Sequence, residues 1–104
     1  MSKYKNIRTN GYSSKKEAKR ADELKLLLFA GKISVLIEQV PFVLAPSVVV
    51  QGRKRPPMKY IADFVYVENG VRVVEDVKGF KKNPVYILKR HLMKSLYSID
   101  ILET

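Results

Sequence analysis

Residues 60–79 read YIADFVYVENGVRVVEDVKG, two runs rich in β-branched and aromatic residues on either side of Asn69-Gly70. An Asn-Gly pair between two such runs is typical of a two-residue β-hairpin turn. A turn of this length also sets the register of the two strands, and it predicts that Phe64 lies opposite Glu75.

The predicted register brings two acids together one step further from the turn, where Asp63 lies opposite Asp76. Directly opposed side chains have Cβ atoms about 4.5–5.5 Å apart, so the two carboxylates would repel each other. A metal cation or a shared proton would remove that cost. Alternation along the strand places Lys78 on the same face as Asp76 and sends Glu75 to the other face. The hairpin therefore predicts a site made of Asp63, Asp76 and Lys78, without Glu75.

Capping signals and periodicity predict the remaining elements. Ser14 and Glu17 match the capping-box spacing and predict a helix over residues 14–30, ended by Gly31. A strand is predicted over residues 33–44 and a second helix after Asn83-Pro84, with an apolar stripe at the positions Val85, Leu88, Leu92 and Leu96. Residues 98–102 predict a last strand. The strand–helix–strand order implies a right-handed crossover, with this strand parallel to the strand of Asp76.

These elements predict a single α/β (α+β) domain with an αβββαβ core and a mixed central sheet flanked by helices. The chain has 104 residues, which is enough for one modest core. Residues 1–12 are predicted to be a flexible basic arm and residues 13–104 the domain. The connection between the first two predicted strands is long and contains a short apolar run over residues 48–50.

Composition restricts the function. The formal net charge of +10 favours a polyanionic partner, with nucleic acid first and an anionic membrane surface as the rival. The chain has no Cys and one His, His91, which excludes thiol nucleophiles and His-rich metal sites. No apolar run is long enough to span a bilayer, and the N-terminus has no apolar signal-peptide core. A soluble intracellular protein is expected.

The first helix adds one more acid to the predicted site. At 100° per residue, Glu17 heads the apolar stripe of Ala21, Leu24 and Leu28. If this helix packs on the acidic face, Glu17 can reach the same spot as Asp63 and Asp76. Carboxylate oxygens suit Mg²⁺, a hard cation that keeps several of its waters. The alternative for Glu17 is that it serves only the helix end.

The residues quoted so far resemble a known family. Asp63, then Asp76-Val77-Lys78 after a hairpin, with Glu17 on a preceding helix, resembles the PD-(D/E)XK nuclease superfamily over residues of about 14–103. More narrowly, SKKEAKRADELKLL, EQVPFVL, ADFVYVENG and VVEDVKG look like a small phage and prophage family similar to Holliday-junction-resolvase-like endonucleases. The sequence departs from the nominal motif at Ala62, where the motif has Pro.

The resemblance implies a restriction-endonuclease-like fold and Mg²⁺-dependent hydrolysis of phosphodiester bonds in DNA, including branched DNA, with Mn²⁺ able to substitute. It also implies a homodimer, acting in the cytoplasm of a host cell. Asp63, Asp76 and Glu17, assisted by the Val77 carbonyl, would bind the metal. Lys78 would support the attacking water or the transition state.

Basic segments are the predicted contacts to DNA phosphates. They are Arg53, Lys54, Arg55, Lys81, Lys82, Lys89 and Arg90. Three alternatives stay open: the acids are merely solvated, Lys78 guards a strand edge, or the chain is a non-catalytic DNA-binding module that keeps the nuclease fold. The sequence also leaves open which of Glu38 and Gln39 faces the site.

Overall fold

The structure, a computed structural model, describes residues 11–77 and 83–104. Within these ranges the chain forms one α+β domain with a mixed four-stranded sheet and a separate two-stranded sheet. The elements are α1 Lys15–Phe29, β1 Ser34–Ala45, β2 Val48–Val50, β3 Arg53–Arg55, β4 Met58–Glu68, β5 Val71–Asp76, α2 Pro84–Tyr97 and β6 Leu102–Glu103. The predicted fold class is confirmed. The long connection after β1, however, is a β2–β3 hairpin.

The central sheet has the strand order β1-β4-β5-β6. Strand β4 is antiparallel to both β1 and β5, whereas β6 is parallel to β5, as the strand–helix–strand order predicts. The predicted position of the last strand is wrong, because β6 covers only residues 102–103. Ser98 instead ends α2 in a left-handed conformation, with φ of 58°.

The β4–β5 hairpin has the predicted register, which runs from Glu68–Val71 to Phe64–Glu75. Asn69 and Gly70 both have positive φ, 54° and 77°. Positive φ at both central residues is the requirement of a type I′ turn, which Asn-Gly meets at low steric cost. The turn sequence therefore determines which residues of β4 and β5 face each other.

Helix α1 begins and ends at its predicted signals. The Ser14 hydroxyl accepts the backbone N–H of Glu17 at 3.1 Å, and Gly31 follows the helix with φ of 76°. Ala21 and Leu24 are fully buried against the sheet, but Leu28, which the stripe also includes, is 40% exposed. The predicted stripe therefore holds for the first turns of the helix and fails in the last.

Helix α2 packs through a different face from the predicted one. Of the four predicted stripe residues only Leu92 packs against the core; Val85, Leu88 and Leu96 are more than half exposed, and the buried residues are Tyr86 and Met93. The packed stripe is therefore rotated by about one residue, or roughly 100°. Tyr86 explains the rotation, because its ring enters the core while its hydroxyl donates to Glu103 at 2.6 Å.

The two helices cover opposite faces of the sheet. On the α1 face, Ala21 and Leu24 pack against Phe64 and Tyr66 of β4. The α2 face is a second cluster formed by Phe42, Leu44, Tyr60, Ala62, Val65, Val74, Tyr86 and Met93. In the part of the chain that the structure describes, neither helix combines the length and the hydropathy needed to cross a membrane.

Candidate metal and nucleic-acid site

Strand β4 changes faces at Asp63. Tyr60 and Ala62 belong to the α2 face, whereas Phe64 and Tyr66 belong to the α1 face. Strict alternation would put all four on one face. The break coincides with Gln39 of the neighbouring strand β1, whose φ of 55° is unusual in a strand. Asp63 is therefore positioned between the two faces.

Two cavities meet at Asp63. The α2-side cavity has a volume of about 380 Å³, and Asp63 and Asp76 line it together with Tyr60, Tyr86, Lys59 and Lys89. The α1-side cavity has a volume of about 290 Å³ and is lined by Asp63, Glu17, Glu38 and Gln39, among others. The structure thus brings Asp63 and Asp76 to one cavity, as the hairpin predicts, and it brings Asp63 and Glu17 to another.

The predicted Asp63–Asp76 pair falls one step beyond the described β4–β5 ladder, which reaches Phe64–Glu75. At that step the Asp63 carboxylate accepts the backbone N–H of Val77 at 2.8 Å. Alternation alone could not reveal this contact, since it depends on the face change in β4. The N–H of Val77, rather than its carbonyl, is thus the group that the structure links to Asp63.

Asp76 is held by a tyrosine. Its side chain is only 2% exposed, and its Oδ2 accepts the hydroxyl of Tyr60 at 2.5 Å. Burial, followed by this hydrogen bond, raises the pKa of Tyr60 well above its usual range, so the phenol stays protonated and remains a donor. The contact orients one carboxylate oxygen of a residue that lines the α2-side cavity.

Glu75 lies on the α1 face, as alternation predicts, and is fully buried there. Its carboxylate accepts two hydrogen bonds from Arg20, at 2.6 and 3.1 Å, one from Tyr66 at 2.6 Å and one from Thr104 at 2.9 Å. Burial raises the pKa of Glu75, but these donors outweigh it and lower the pKa below its ordinary value. Glu75 therefore ties α1 and the C-terminal residue to the sheet.

Glu17 departs from the prediction. Glu17 could reach Asp76 only if α1 packed on the face of Asp76, and α1 packs instead on the face of Glu75. Glu17 is 5% exposed, and its carboxylate accepts the Ser13 hydroxyl at 2.7 Å and the Gln39 amide at 3.2 Å. Glu17 consequently meets Asp63 at the α1-side cavity, on the other side of the sheet from the Tyr60–Asp76 contact.

Glu38 and Gln39 both line the α1-side cavity, which answers the question that the sequence left open. Consecutive strand residues normally face opposite ways, but the positive φ of Gln39 lets both contact the α1 side. Glu38 accepts the Tyr12 hydroxyl at 3.1 Å, so Tyr12, the last residue of the predicted arm, is attached to β1. No local pattern in the sequence predicts the contact between Tyr12 and Glu38.

Several predicted residues lie outside the described part of the chain. These are residues 1–10 of the predicted arm and Lys78, Lys81 and Lys82. Asp76, the first residue of the acid-x-Lys motif, is therefore described, but its lysine is not.

The other predicted DNA contacts fall into two groups. Arg53, Lys54 and Arg55 are exposed on β3. Lys89 and Arg90 are half-buried on the inner side of α2 rather than on its outer side. Lys89 lines the α2-side cavity, while Arg90 binds Glu103 at 2.9 Å. Lys89 is therefore the cation of α2 that is best placed to meet a ligand in that cavity.

The donor chemistry of the α2-side cavity fits a hard divalent cation. Mg²⁺ is commonly bound by one or two carboxylates and keeps several waters, and Asp63 and Asp76 supply two carboxylates at one cavity. Over residues 11–77 and 83–104, no group of three or more acidic, His or Cys side chains is arranged to hold a metal ion. Glu17 accordingly does not complete a three-carboxylate group with Asp63 and Asp76.

Comparison with known proteins identifies a family. No curated protein matches the chain, and no solved structure matches it either. One family profile matches residues 1–101, and its description is "Protein of unknown function (DUF1064)". This match covers nearly the whole chain, including both cavities and the β2–β3 hairpin. The protein therefore belongs to the DUF1064 family.

Proposed function

We propose that this protein is a metal-dependent DNA endonuclease of the PD-(D/E)XK type that hydrolyses phosphodiester bonds, including those of branched DNA such as Holliday junctions. The observation that carries the proposal is the α2-side cavity, where Asp63 and Asp76 lie beside Lys59 and Lys89. Two carboxylates suit a divalent cation, and neighbouring lysines suit the phosphates of a polyanion. The net charge of +10 supports the same partner.

In this proposal Asp63 and Asp76 hold Mg²⁺, or Mn²⁺ in its place. When bound, such an ion acts as a Lewis acid on a phosphodiester and stabilises the leaving oxygen. Tyr60 keeps one oxygen of Asp76 oriented by its 2.5 Å hydrogen bond. Lys89 attracts the substrate phosphate to the cavity, and Lys78 supports the attacking water or the transition state, as the motif implies.

The proposed partners are DNA and a second copy of the chain. Val85, Leu88 and Leu96 expose much of their apolar surface along α2, which supports a homodimer through that helix. Light scattering should give twice the chain mass of 11.9 kDa. A monomer at all concentrations would contradict the dimer without affecting the nuclease proposal.

The decisive test is cleavage of linear duplex, flap and four-way-junction DNA with Mg²⁺ or Mn²⁺. Asp76→Asn should lower the rate by about two orders of magnitude, because it removes a charged ligand while keeping the oxygen that Tyr60 contacts. Glu68→Gln, at the exposed turn, is the matched control and should cleave at the wild-type rate. Equal rates for wild type and Asp76→Asn, or the absence of metal-dependent cleavage, would contradict the proposal.

A non-catalytic DNA-binding module is the second candidate. It is favoured by the position of Glu17, which contacts Ser13 and Gln39 on the α1 side instead of joining Asp76. Titration calorimetry separates the two candidates. A Mn²⁺ site that Asp76→Asn abolishes supports the enzyme, whereas DNA binding without any such site supports the module.

A further inference from the structure

The β2–β3 hairpin stands apart from the central sheet. Its strands pair Val48–Arg55, Val49–Lys54 and Val50–Arg53 around a tight turn at Gln51-Gly52. Every residue from 46 to 59 is exposed, so no part of the chain over residues 11–77 and 83–104 covers either face of this ribbon. A two-stranded ribbon of three residues per strand has little stability by itself. Binding of a partner to its exposed surface would therefore stabilise the ribbon.

The two faces of the ribbon differ in chemistry. Side chains alternate along each strand, and cross-strand partners share a face. The pairing thus puts Arg53 and Arg55 on one face with Val48 and Val50, here called the arginine face. Lys54 and Val49 lie on the opposite face, here called the lysine face.

The arginine face carries positive charge that nothing described in the chain neutralises. Residues 39–62 contain no Asp or Glu. In the described ranges, the ion pairs of the domain involve other residues, and Arg53, Lys54 and Arg55 form none. Beside these cations, Val48 and Val50 are 50% and 48% exposed. A partner must therefore offer negative charge together with small apolar groups.

We propose that the β2–β3 hairpin binds duplex DNA by placing its arginine face in the major groove. The inference rests on the proposed function for the identity of the polyanion, and it adds how the DNA is held. The major groove is about 12 Å wide and admits a two-stranded β-ribbon. Arginine forks match the guanine O6 and N7 acceptors, and valine methyl groups match the thymine methyl group. Lys54, on the lysine face, points away from the groove floor.

The hairpin and the α2-side cavity are within reach of the same duplex. Pro56-Pro57 joins β3 to β4 and stiffens the connection. At a rise of roughly 3.3 Å per residue, Met58 at the start of β4 lies about 17 Å from Asp63. One turn of B-DNA is about 34 Å long, so a duplex in contact with the ribbon can also pass the cavity.

The first experiment measures binding of a fluorescent duplex by anisotropy in EDTA, so that no cleavage occurs. Arg53→Ala and Arg55→Ala should each lower the affinity about fivefold or more, because each removes a guanidinium group that can form two hydrogen bonds to a guanine in the groove. Lys54→Ala removes the same charge from the other face and should lower the affinity about twofold. The double variant Arg53→Lys/Arg55→Lys keeps the charge, and its loss of DNA affinity should lie between the twofold and fivefold losses. Circular dichroism checks that each variant is folded.

The second experiment identifies the groove by competition. Methyl green, which occupies the major groove, should displace the protein, whereas netropsin, which occupies the minor groove, should not. Displacement by netropsin alone would overturn the groove assignment. Equal losses of DNA affinity in the three alanine variants would overturn the assignment of faces. Unchanged affinity in all three variants would overturn the role of the hairpin, and so would a wild-type protein that does not bind duplex DNA.

The results distinguish a failure of this inference from a failure of the nuclease proposal. If DNA binding depends on Arg53 and Arg55 but no metal-dependent cleavage occurs, the hairpin inference stands and the nuclease proposal is contradicted. If the cleavage rate is unchanged when Arg53 and Arg55 are replaced by alanine, the nuclease proposal stands and the hairpin inference is contradicted.

Discussion

The two faces of the central sheet each bury a carboxylate of β5 that accepts a hydrogen bond from a tyrosine of β4. On the α1 face, Glu75 pairs with Tyr66 and is also bound by Arg20 and Thr104. On the α2 face, Asp76 pairs with Tyr60 and lines a cavity beside two lysines. Glu75 and Asp76, adjacent acids of one strand, therefore have different roles. The buried acid that pairs with the Arg20 guanidinium stabilises the fold, and the acid at a cavity can meet a ligand.

The strongest test of this comparison makes the same chemical change on both faces. Glu75→Gln should lower the free energy of unfolding by about 3 kcal/mol, because it leaves the guanidinium of Arg20 without its buried counter-ion. Asp76→Asn should change it by about 1 kcal/mol or less, since the amide oxygen still accepts from Tyr60. Urea denaturation measures both values.

Glu23→Gln is the control for the first variant, because Glu23 also contacts Arg20 but is exposed. It should cost at most about 1 kcal/mol. Equal losses for Glu75→Gln and Asp76→Asn would show that the two faces do not differ in the proposed way.

A smaller effect is expected from titration of Glu75. Because its pKa in the folded protein is lowered, the stability that its charge contributes is complete above the pKa of the unfolded state, about 4.3, and is lost as pH falls through the folded value. Protonation removes the charge but leaves hydrogen-bonding oxygens in place. Chemical denaturation from pH 7 down to pH 3 should therefore show a steeper loss of stability for wild type than for Glu75→Gln. Parallel curves would contradict the role given to Glu75.

The last test separates the two tyrosines. Tyr66→Phe removes a hydrogen bond to Glu75 and should lower the free energy of unfolding by about 1–2 kcal/mol, with no change in Mn²⁺ affinity. Tyr60→Phe should have a similar effect on stability but should also weaken Mn²⁺ binding about tenfold, because the Asp76 carboxylate loses its orienting partner. Calorimetric titration with Mn²⁺ separates the two variants. An equal Mn²⁺ affinity in both would remove Tyr60 from the candidate site.

Much of the fold could be predicted because its signals are local. Asn69-Gly70 sets the hairpin register through Phe64–Glu75, and Ser14 and Gly31 mark the ends of α1, each through contacts within a few residues. The opposite faces of Glu75 and Asp76 follow from the same alternation. These features depend on backbone geometry and short-range hydrogen bonds, which neighbouring residues specify.

The candidate site was predicted less well, because its geometry depends on contacts between distant segments. Asp63 contacts both cavities only because β4 changes faces beside Gln39, a residue of another strand. The side of the sheet that α1 covers could not be deduced from its own stripe, and so the sequence left open whether Glu17 reaches Asp76. Similarly, the apolar pattern of α2 did not reveal that Tyr86 would turn inward to reach Glu103.

The sequence by itself determined the strand register, the ends of α1 and the strong positive charge, because each depends on composition or on residues close in the chain. Only the tertiary structure decided which helix covers which face, where β4 breaks its alternation and which cavity each acid lines. Those choices follow from burying large side chains and satisfying buried polar groups across the whole domain. For that reason Glu75 became a structural residue and Asp76 a candidate ligand, although the two are neighbours in the chain.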